Sequence, residues 1–416
     1  MLKGIELEDF FKAYYQCRRK KRTTINAISF EVNYSDNLVE LYNEVNSKKY
    51  KIGKSIAFIV TRPKPREVFA ADFRDRVIHH VIIQRLEPLF EEEFIDDSYS
   101  CRTNKGTLYG IQRLHDKIKD LSKNYTEDIW IGKFDISGFF MNINQNWLWK
   151  KLKEFIIEKY TNEKDKEYLL YLTRKVVLHE PQKNCTRKSD IRLWDRLDPA
   201  KSLFTCKPNC GLPIGNLTSQ CFANFYLNDF DHWMSEMFNG YYGRYVDDFY
   251  VLAKTKKEIT RKIKSMENYL KQNYGLELHK KKRYIQRYDK GVKFIGTTVK
   301  KDKIRLGNEC ISNLYSAINR FNHLPATPEV AEEFVQTLNS YFGFLRHRDT
   351  KWKRKKIWEK IYPLKWRKSN ILWIDKDYTH VKINPSYTRK NKQTKFKSYE
   401  DIFEEDFSMF WQDSAG

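Results

Sequence analysis

The segment Tyr241-Tyr242-Gly243-Arg244-Tyr245-Val246-Asp247-Asp248-Phe249-Tyr250-Val251-Leu252 constrains the fold more than any other stretch of the chain. Two short runs of strand-forming residues flank a pair of adjacent acids, which predicts a β-hairpin with Asp247 and Asp248 at its tip. Adjacent carboxylates among aromatic side chains repel each other and lose hydration, so something must offset their charge. A divalent cation is the natural candidate, because hard cations take carboxylate oxygens as ligands. A bare Asp-Asp pair would otherwise be an ordinary acidic turn.

A second segment strengthens the metal reading. Ile129-Trp130-Ile131-Gly132-Lys133-Phe134-Asp135-Ile136-Ser137-Gly138-Phe139-Phe140 is an apolar strand ending in a lone acid, 112 residues upstream of Asp247. Only the tertiary fold can bring Asp135 beside the hairpin. Two strand-end carboxylate sites side by side can hold two Mg²⁺ ions about 3.5–4 Å apart, the clamp used for in-line phosphoryl transfer. Between the two strands lies Gly211-Leu212-Pro213-Ile214-Gly215-Asn216-Leu217-Thr218-Ser219-Gln220. Gly and Pro open a loop, Asn216 or Thr218 can cap a helix, and Phe222, Phe225 and Tyr226 give that helix an apolar face. A glycine-containing loop feeding a helix N-terminus suits close backbone approach to a nucleotide, or it is simply a structural turn.

Charge narrows the class of partner. The 416 residues carry 77 Lys+Arg against 54 Asp+Glu, a formal net charge of +23. That excess favours a polyanion such as nucleic acid, although a basic protein with no such role remains the plain alternative. From Arg346 to Glu400 there are 18 Lys+Arg and five Asp+Glu, with Trp352, Trp358, Trp366 and Trp373 interleaved. Basic side chains with aromatics suit a surface that tracks a nucleic-acid backbone. The run Arg18-Arg19-Lys20-Lys21-Arg22 is a solvated face or a phosphate contact, and residues 400–416 turn acidic.

The rest of the chain reads as a folded protein of two or three domains. Phe58 to Phe69 is extended, with Pro63 and Pro65 confining it to edge strands or a hairpin. Asp72 to Phe90 is a helix with Val77, Val81, Ile82 and Leu86 on one face. Residues 150–200 begin helical and end in a polar, proline-containing stretch, and the chain beyond residue 300 is helical. Seven scattered cysteines fit reduced thiols. Cys206 and Cys210, separated by three residues, could join Cys185 and His179 at a zinc site, though no matching second pair exists. No apolar run approaches the roughly 18 residues of a membrane span, and acids near the start replace the apolar stretch of a signal peptide. The expectation is an intracellular, cytoplasmic protein that avoids membranes.

In order, Phe134-Asp135-Ile136-Ser137-Gly138-Phe139-Phe140, then Gly211 to Gln220, then Tyr245-Val246-Asp247-Asp248 resemble the palm of a reverse transcriptase. Pro65-Arg66-Glu67-Val68 with Asp75-Arg76-Val77 resembles the fingers. Leu276-Glu277-Leu278-His279 leading to Lys281-Lys282 resembles the palm segment after the catalytic hairpin, and Val292-Lys293-Phe294-Ile295-Gly296 resembles the primer grip. The resemblance covers about residues 55–300. It implies an α+β right-hand polymerase: fingers over 1–128 with a basic helical N-terminal segment, palm over 129–300 with a helical insertion near 150–205, a basic helical thumb over 301–400, and an acidic tail over 401–416. It implies RNA-directed DNA synthesis from dNTPs with two Mg²⁺ ions, on a template RNA and the RNA/cDNA duplex, in a bacterial or phage-infected cell.

Carried over residue by residue, the resemblance makes Asp135, Asp247 and Asp248 the catalytic Mg²⁺ ligands, with the Ile136 carbonyl as an additional one. One ion would activate the primer 3′-hydroxyl and the other would hold the triphosphate. Arg66, Phe140, Ile214, Gly215, Gln220 and Lys282 would contact the nucleotide, with Phe140 as the gate against a ribose 2′-hydroxyl. Phe294, Ile295 and Gly296 would form the primer grip. Ile214, where many bacterial relatives carry Gln, and the ending Ser219-Gln220 are similar to the reverse transcriptases of diversity-generating retroelements. That subgroup implies errors opposite template adenines and a small basic oligomeric accessory protein. The alternatives are a group II intron-like or phage-defence reverse transcriptase, or an inactive RNA-binding scaffold.

Overall fold

The structure, a computed structural model, describes residues 5–19, 24–61, 64–301, 304–347, 350–361, 363–367 and 371–387. Lys20, Lys21, Arg22, Pro63 and the acidic tail lie outside them. The chain divides into two compact units near residues 295–302. It is a mixed α+β protein, as expected, and no described helix is long and apolar enough to cross a membrane.

The first unit is organised around a four-stranded antiparallel sheet. The strands used below are numbered along the chain: β1 (Ser55–Val60), β2 (Arg66–Ala70), β3 (Trp130–Asp135), β4 (Cys185–Arg187), β5 (Tyr242–Tyr245), β6 (Asp248–Ala253) and β7 (Tyr284–Arg287). The sheet runs β5-β6-β3-β7, so the strand ending in Asp135 lies beside the strand beginning with Asp248. Ile131 and Phe134 of β3 and Phe249, Val251 and Leu252 of β6 are buried. β1 and β2 form the anticipated hairpin, and β4 joins the other edge of β1 in parallel.

One helix organises the core beneath. Phe73–Glu93 is capped by Asp72, whose carboxylate accepts from the Arg74 N–H at 3.2 Å. Val77, Val81, Ile82 and Leu86 are buried as the spacing predicts, and so are Ile78 and Ile83, because the helix is covered on more than one face. Arg85 on this helix ties two others to it, bonding Asp9 at 2.6 Å and Asp165 at 2.7 Å.

The second unit contains helices Asn308–His323, Pro328–Leu345 and Lys351–Glu359 and a two-stranded antiparallel ribbon, Leu372–Ile374 with Val381–Ile383. Phe321 stacks on Phe334 at 4.4 Å, and Trp366 meets Phe334 edge-on at 5.3 Å. The interleaved tryptophans therefore divide. Trp366 is wholly buried and donates Nε1–H to the Phe321 carbonyl, and Trp358 packs on the same core. Trp352 and Trp373 stand 72% and 53% exposed. The helix Lys351–Glu359 buries Arg354 and Ile357, and Trp352 falls outside that face. Only the exposed pair retains the surface role its composition suggests.

That division is testable by calorimetry on the full chain. Trp366→Ala is predicted to cost about 3–5 kcal/mol through the cavity it leaves. Trp352→Ala should stay within about 0.5 kcal/mol. Equal shifts for the two variants would contradict the assignment.

Candidate active site

The β3–β6 register places Asp135 directly opposite Asp248. Tyr245 pairs with Asp248 across the hairpin, leaving Val246 and Asp247 as a two-residue turn. Val246 adopts φ 60°, a left-handed conformation that a β-branched residue resists. Such strain persists only where the surroundings fix it. Here the fixing group is Arg244, 1% exposed, which donates Nη1–H to the Val246 carbonyl at 2.9 Å. Arg244 is itself held by Asp231, Nε to Oδ1 at 2.7 Å and Nη2 to Oδ2 at 2.5 Å, and Tyr242 donates to the same carboxylate at 2.6 Å. From the other strand, the Ile136 N–H donates to the Asp247 carbonyl at 3.0 Å, and the His279 N–H donates to the Asp135 carbonyl at 2.7 Å.

The side chains show how the charge is met. Lys282 places its ammonium 3.0 Å from both oxygens of the buried Asp135, and Lys133 lies 3.0 Å from Asp248 Oδ1. Burial, with Asp135 and Asp248 as like-charged neighbours, pushes the Asp247 carboxyl up to about 6. Burial also raises Asp248, and Lys133 opposes that shift. Among the described residues no three His, Cys, Asp or Glu side chains are arranged around a single ion position. Asp135 and Asp248 are each turned onto a lysine instead. The donors nevertheless fit Mg²⁺: they are hard carboxylate oxygens, and an Asp247 raised by burial and by its like-charged neighbours gains from a cation placed among them.

Four of the nucleotide candidates, Arg66, Phe140, Ile214 and Gly215, lie on or against β2, whereas Lys282 sits at Asp135. The Phe69 N–H donates to the Ile214 carbonyl at 2.9 Å, stapling the 211–216 loop to that strand. Gly215 has φ 120°, and an added Cβ would sit 2.8 Å from Val68 Cγ1, so the close approach requires glycine. Asn216 holds the N-cap position of helix Leu217–Tyr226, but its side chain does not cap the helix; it accepts from the Ala71 N–H at 3.3 Å. Ile214 and Phe140 pack against one apolar cluster containing Ala57, Phe69, Met141 and Leu203. Arg66 is exposed at the start of β2 and pairs with no carboxylate among the described residues. Gln220 is exposed on the following helix. Phe294 is buried against Tyr250 at 5.1 Å, and Ile295 and Gly296 both take positive φ.

The thiols are free, as the scattered cysteines suggested, and the possible zinc site does not form among the described residues. Cys185, Cys206 and Cys210 are free thiols, and no metal-holding group includes them or His179 among the described residues. Cys206 Sγ lies 3.1 Å from the Leu203 carbonyl and 3.0 Å from the Cys210 carbonyl, which share its one proton, and burial pushes both the Cys206 and Cys210 thiols up, away from the thiolate a metal needs. Sequence reasoning missed Arg244, Asp231 and Lys133. Strand alternation was the available signal for Arg244, since it shares the inward face with Tyr242.

Residues 61–299, more than half of the chain, match the family model described as reverse transcriptase (RNA-dependent DNA polymerase). The chain belongs to that family. Curated relatives of this reverse transcriptase include Protein YkfC of Escherichia coli, 20% identical over 56% of this chain and 63% of that protein. Nuclear intron maturase 1, mitochondrial, of Arabidopsis thaliana is 23% identical over 49% of this chain and 32% of its own length. The chain thus spans less than two thirds of the curated relatives it matches. Among solved structures, apo telomerase from Candida tropicalis aligns with TM-score 0.48 and 12% identity, over 77% of this chain and 64% of that one. Telomerase from Candida albicans in complex with a telomeric RNA fragment gives 0.45 and 13%, over 80% and 60%.

The crowding at Asp247 has a stability consequence in this reverse transcriptase. A carboxyl whose folded pKa is raised binds its proton more tightly in the folded state, so its ionisation lowers stability as pH rises from about 4 to about 6. In chelator, Asp247→Asn should therefore stabilise the protein at pH 7–8 by about 1–2 kcal/mol and leave it unchanged below pH 4. Denaturation midpoints across that range measure it; a variant less stable than wild type at pH 8 would contradict the electrostatic account.

Proposed function

We propose that the chain is an RNA-directed DNA polymerase that extends a primer on an RNA template. The observation that supports this reading is the convergence, in a member of the reverse transcriptase family, of Asp135 opposite Asp248 with Asp247 in the adjoining turn. In this reading residues 1–128 serve as fingers, 129–300 as palm and 301–400 as thumb. Asp135, Asp247 and Asp248, with the Ile136 carbonyl, would hold Mg²⁺, which when bound offsets charge on the attacking and leaving oxygens. Arg66, which meets no carboxylate among the described residues, offers its guanidinium to the triphosphate. Lys282, anchored at Asp135, offers an ammonium to the same phosphates. Phe140 presents a ring where a ribose 2′-hydroxyl would clash, and Phe294, Ile295 and Gly296 would support the primer end.

The finer reading is a diversity-generating enzyme, supported by Ile214-Gly215 and Ser219-Gln220. Ile214 lies in apolar surroundings and has no side-chain donor or acceptor, so a contact worth about 1 kcal/mol is missing from nucleotide positioning. The resemblance supplies the bias toward template adenines, the template RNA copied with errors, and the small basic accessory protein. A second reading, a group II intron-type enzyme, is favoured by the likeness to the Arabidopsis intron maturases. Ile214 and Gln220 weigh against it.

Primer extension on RNA with Mg²⁺, followed by cDNA sequencing, separates these. Wild type should extend, and Asp247→Ala should slow synthesis by at least about 100-fold. Ile214→Gln should lower the error rate severalfold, since it restores about 1 kcal/mol of positioning. Accurate wild-type copying points to the intron-type reading, and an unchanged error rate in Ile214→Gln contradicts the role of Ile214. Extension by neither protein, even with a partner and cognate RNA, favours a scaffold.

A further inference from the structure

Glu67 follows Arg66 on β2, is 1% exposed, and accepts three hydrogen bonds at 2.7 Å: from Trp194 Nε1, Ser202 Oγ and the Leu203 backbone N–H. All three donors lie in one segment more than 120 residues along the chain. A buried carboxylate must be satisfied in full to be tolerated, so the three bonds fix that segment tightly against β2. Arg187 lies over the rings of Phe204 at 3.8 Å and Trp194 at 5.3 Å, placing a cation beside the same joint.

The segment held in this way reaches the strand that carries Arg66, the turn that carries Phe140 and the loop that carries Ile214. Leu203 belongs to the cluster against which Ile214 and Phe140 pack. A Cβ on Gly211, where the loop begins, would lie 2.5 Å from Leu203 Cδ2. A Cβ on Gly138, which opens the single helical turn Phe139–Asn142 bearing Phe140, would lie 3.2 Å from the Ala200 carbonyl. Along β2, Glu67 and Phe69 point inward, while Arg66 and Val68 occupy the other face, where Gly215 meets Val68.

We propose that residues 198–205 form the specificity wall of the nucleotide pocket, and that Glu67 is the positioning residue which holds this wall and so sets the spacing between Phe140 and Ile214. The inference rests on the polymerase reading. Glu67 touches no substrate; it acts through Leu203 and Ser202. Loosening the joint lets the wall recede from Phe140 and Ile214, which admits sugars and bases that the intact spacing rejects.

The test is single-nucleotide incorporation by the full chain on an RNA template, reading KM and kcat for a deoxynucleotide and its ratio against the matching ribonucleotide. Ser202→Ala should raise KM about threefold and Glu67→Gln about tenfold, each with kcat within about twofold. Leu203→Ala should lower deoxy-over-ribo discrimination about tenfold. Melting temperatures separate this from a structural role, which would move stability and kcat but not discrimination. Such a pattern overturns the proposal. Should Glu67→Gln fail to fold, Ser202→Ala and Leu203→Ala decide it, and wild-type KM and discrimination in both would overturn it. Wild-type extension with unchanged variants overturns this inference alone; no extension by wild type overturns it together with the polymerase reading.

Discussion

The register of β3 against β6 is the constraint on which the site depends. With Asp135 paired to Asp248, three carboxylates from two distant segments meet at one end of the sheet. A slip of one residue would turn each side chain to the opposite face and scatter them. Buried apolar residues on both strands fix that register, and two lysines offset the charge it concentrates. The local arrangement is thus set by hydrophobic packing and tolerated through electrostatics.

A second layer holds the turn. Val246 would not take a left-handed conformation unaided, and its carbonyl is fixed by a guanidinium that is itself buried against Asp231. Breaking a buried pair of this kind leaves an uncompensated charge, which makes the anchor stiff as well as costly. On β2 a comparable device appears with neutral donors, where Glu67 ties the strand bearing Arg66 to the 198–205 segment. Both devices place a rigid polar joint directly behind residues proposed to touch substrate. A site that crowds carboxylates and strains its backbone gives up stability for geometry.

Much of this was legible because it is periodic. Strand-forming runs on either side of Asp247 and Asp248 predict the hairpin, the apolar run before Asp135 predicts β3, and the spacing of Val77, Val81, Ile82 and Leu86 predicts the central helix. What could not be read depends on contacts that leave no local pattern. Glu67 meets its partners 127 to 136 positions away, and Lys133 meets Asp248 across 115. Alternation puts Arg244 on the face of the buried Tyr242, but its partner Asp231 leaves no trace in the strand. Asn216 looks like a cap yet serves β2, because the strand's free N–H lies within reach. Trp366 and Trp352 share a basic stretch, and only helix packing decides which is core. The cysteines and His179 suggested zinc by proximity in sequence, but carbonyls accept from Cys206 instead.

The proposed cation site joins Asp135 to the Asp247–Asp248 pair, 112 residues away in sequence. Titration of the full chain with Mn²⁺, followed by electron paramagnetic resonance, tests it directly. Asp135→Asn and Asp247→Asn should each weaken binding by at least about tenfold, alike in effect despite their separation. Wild-type Mn²⁺ affinity in either variant would contradict a shared site.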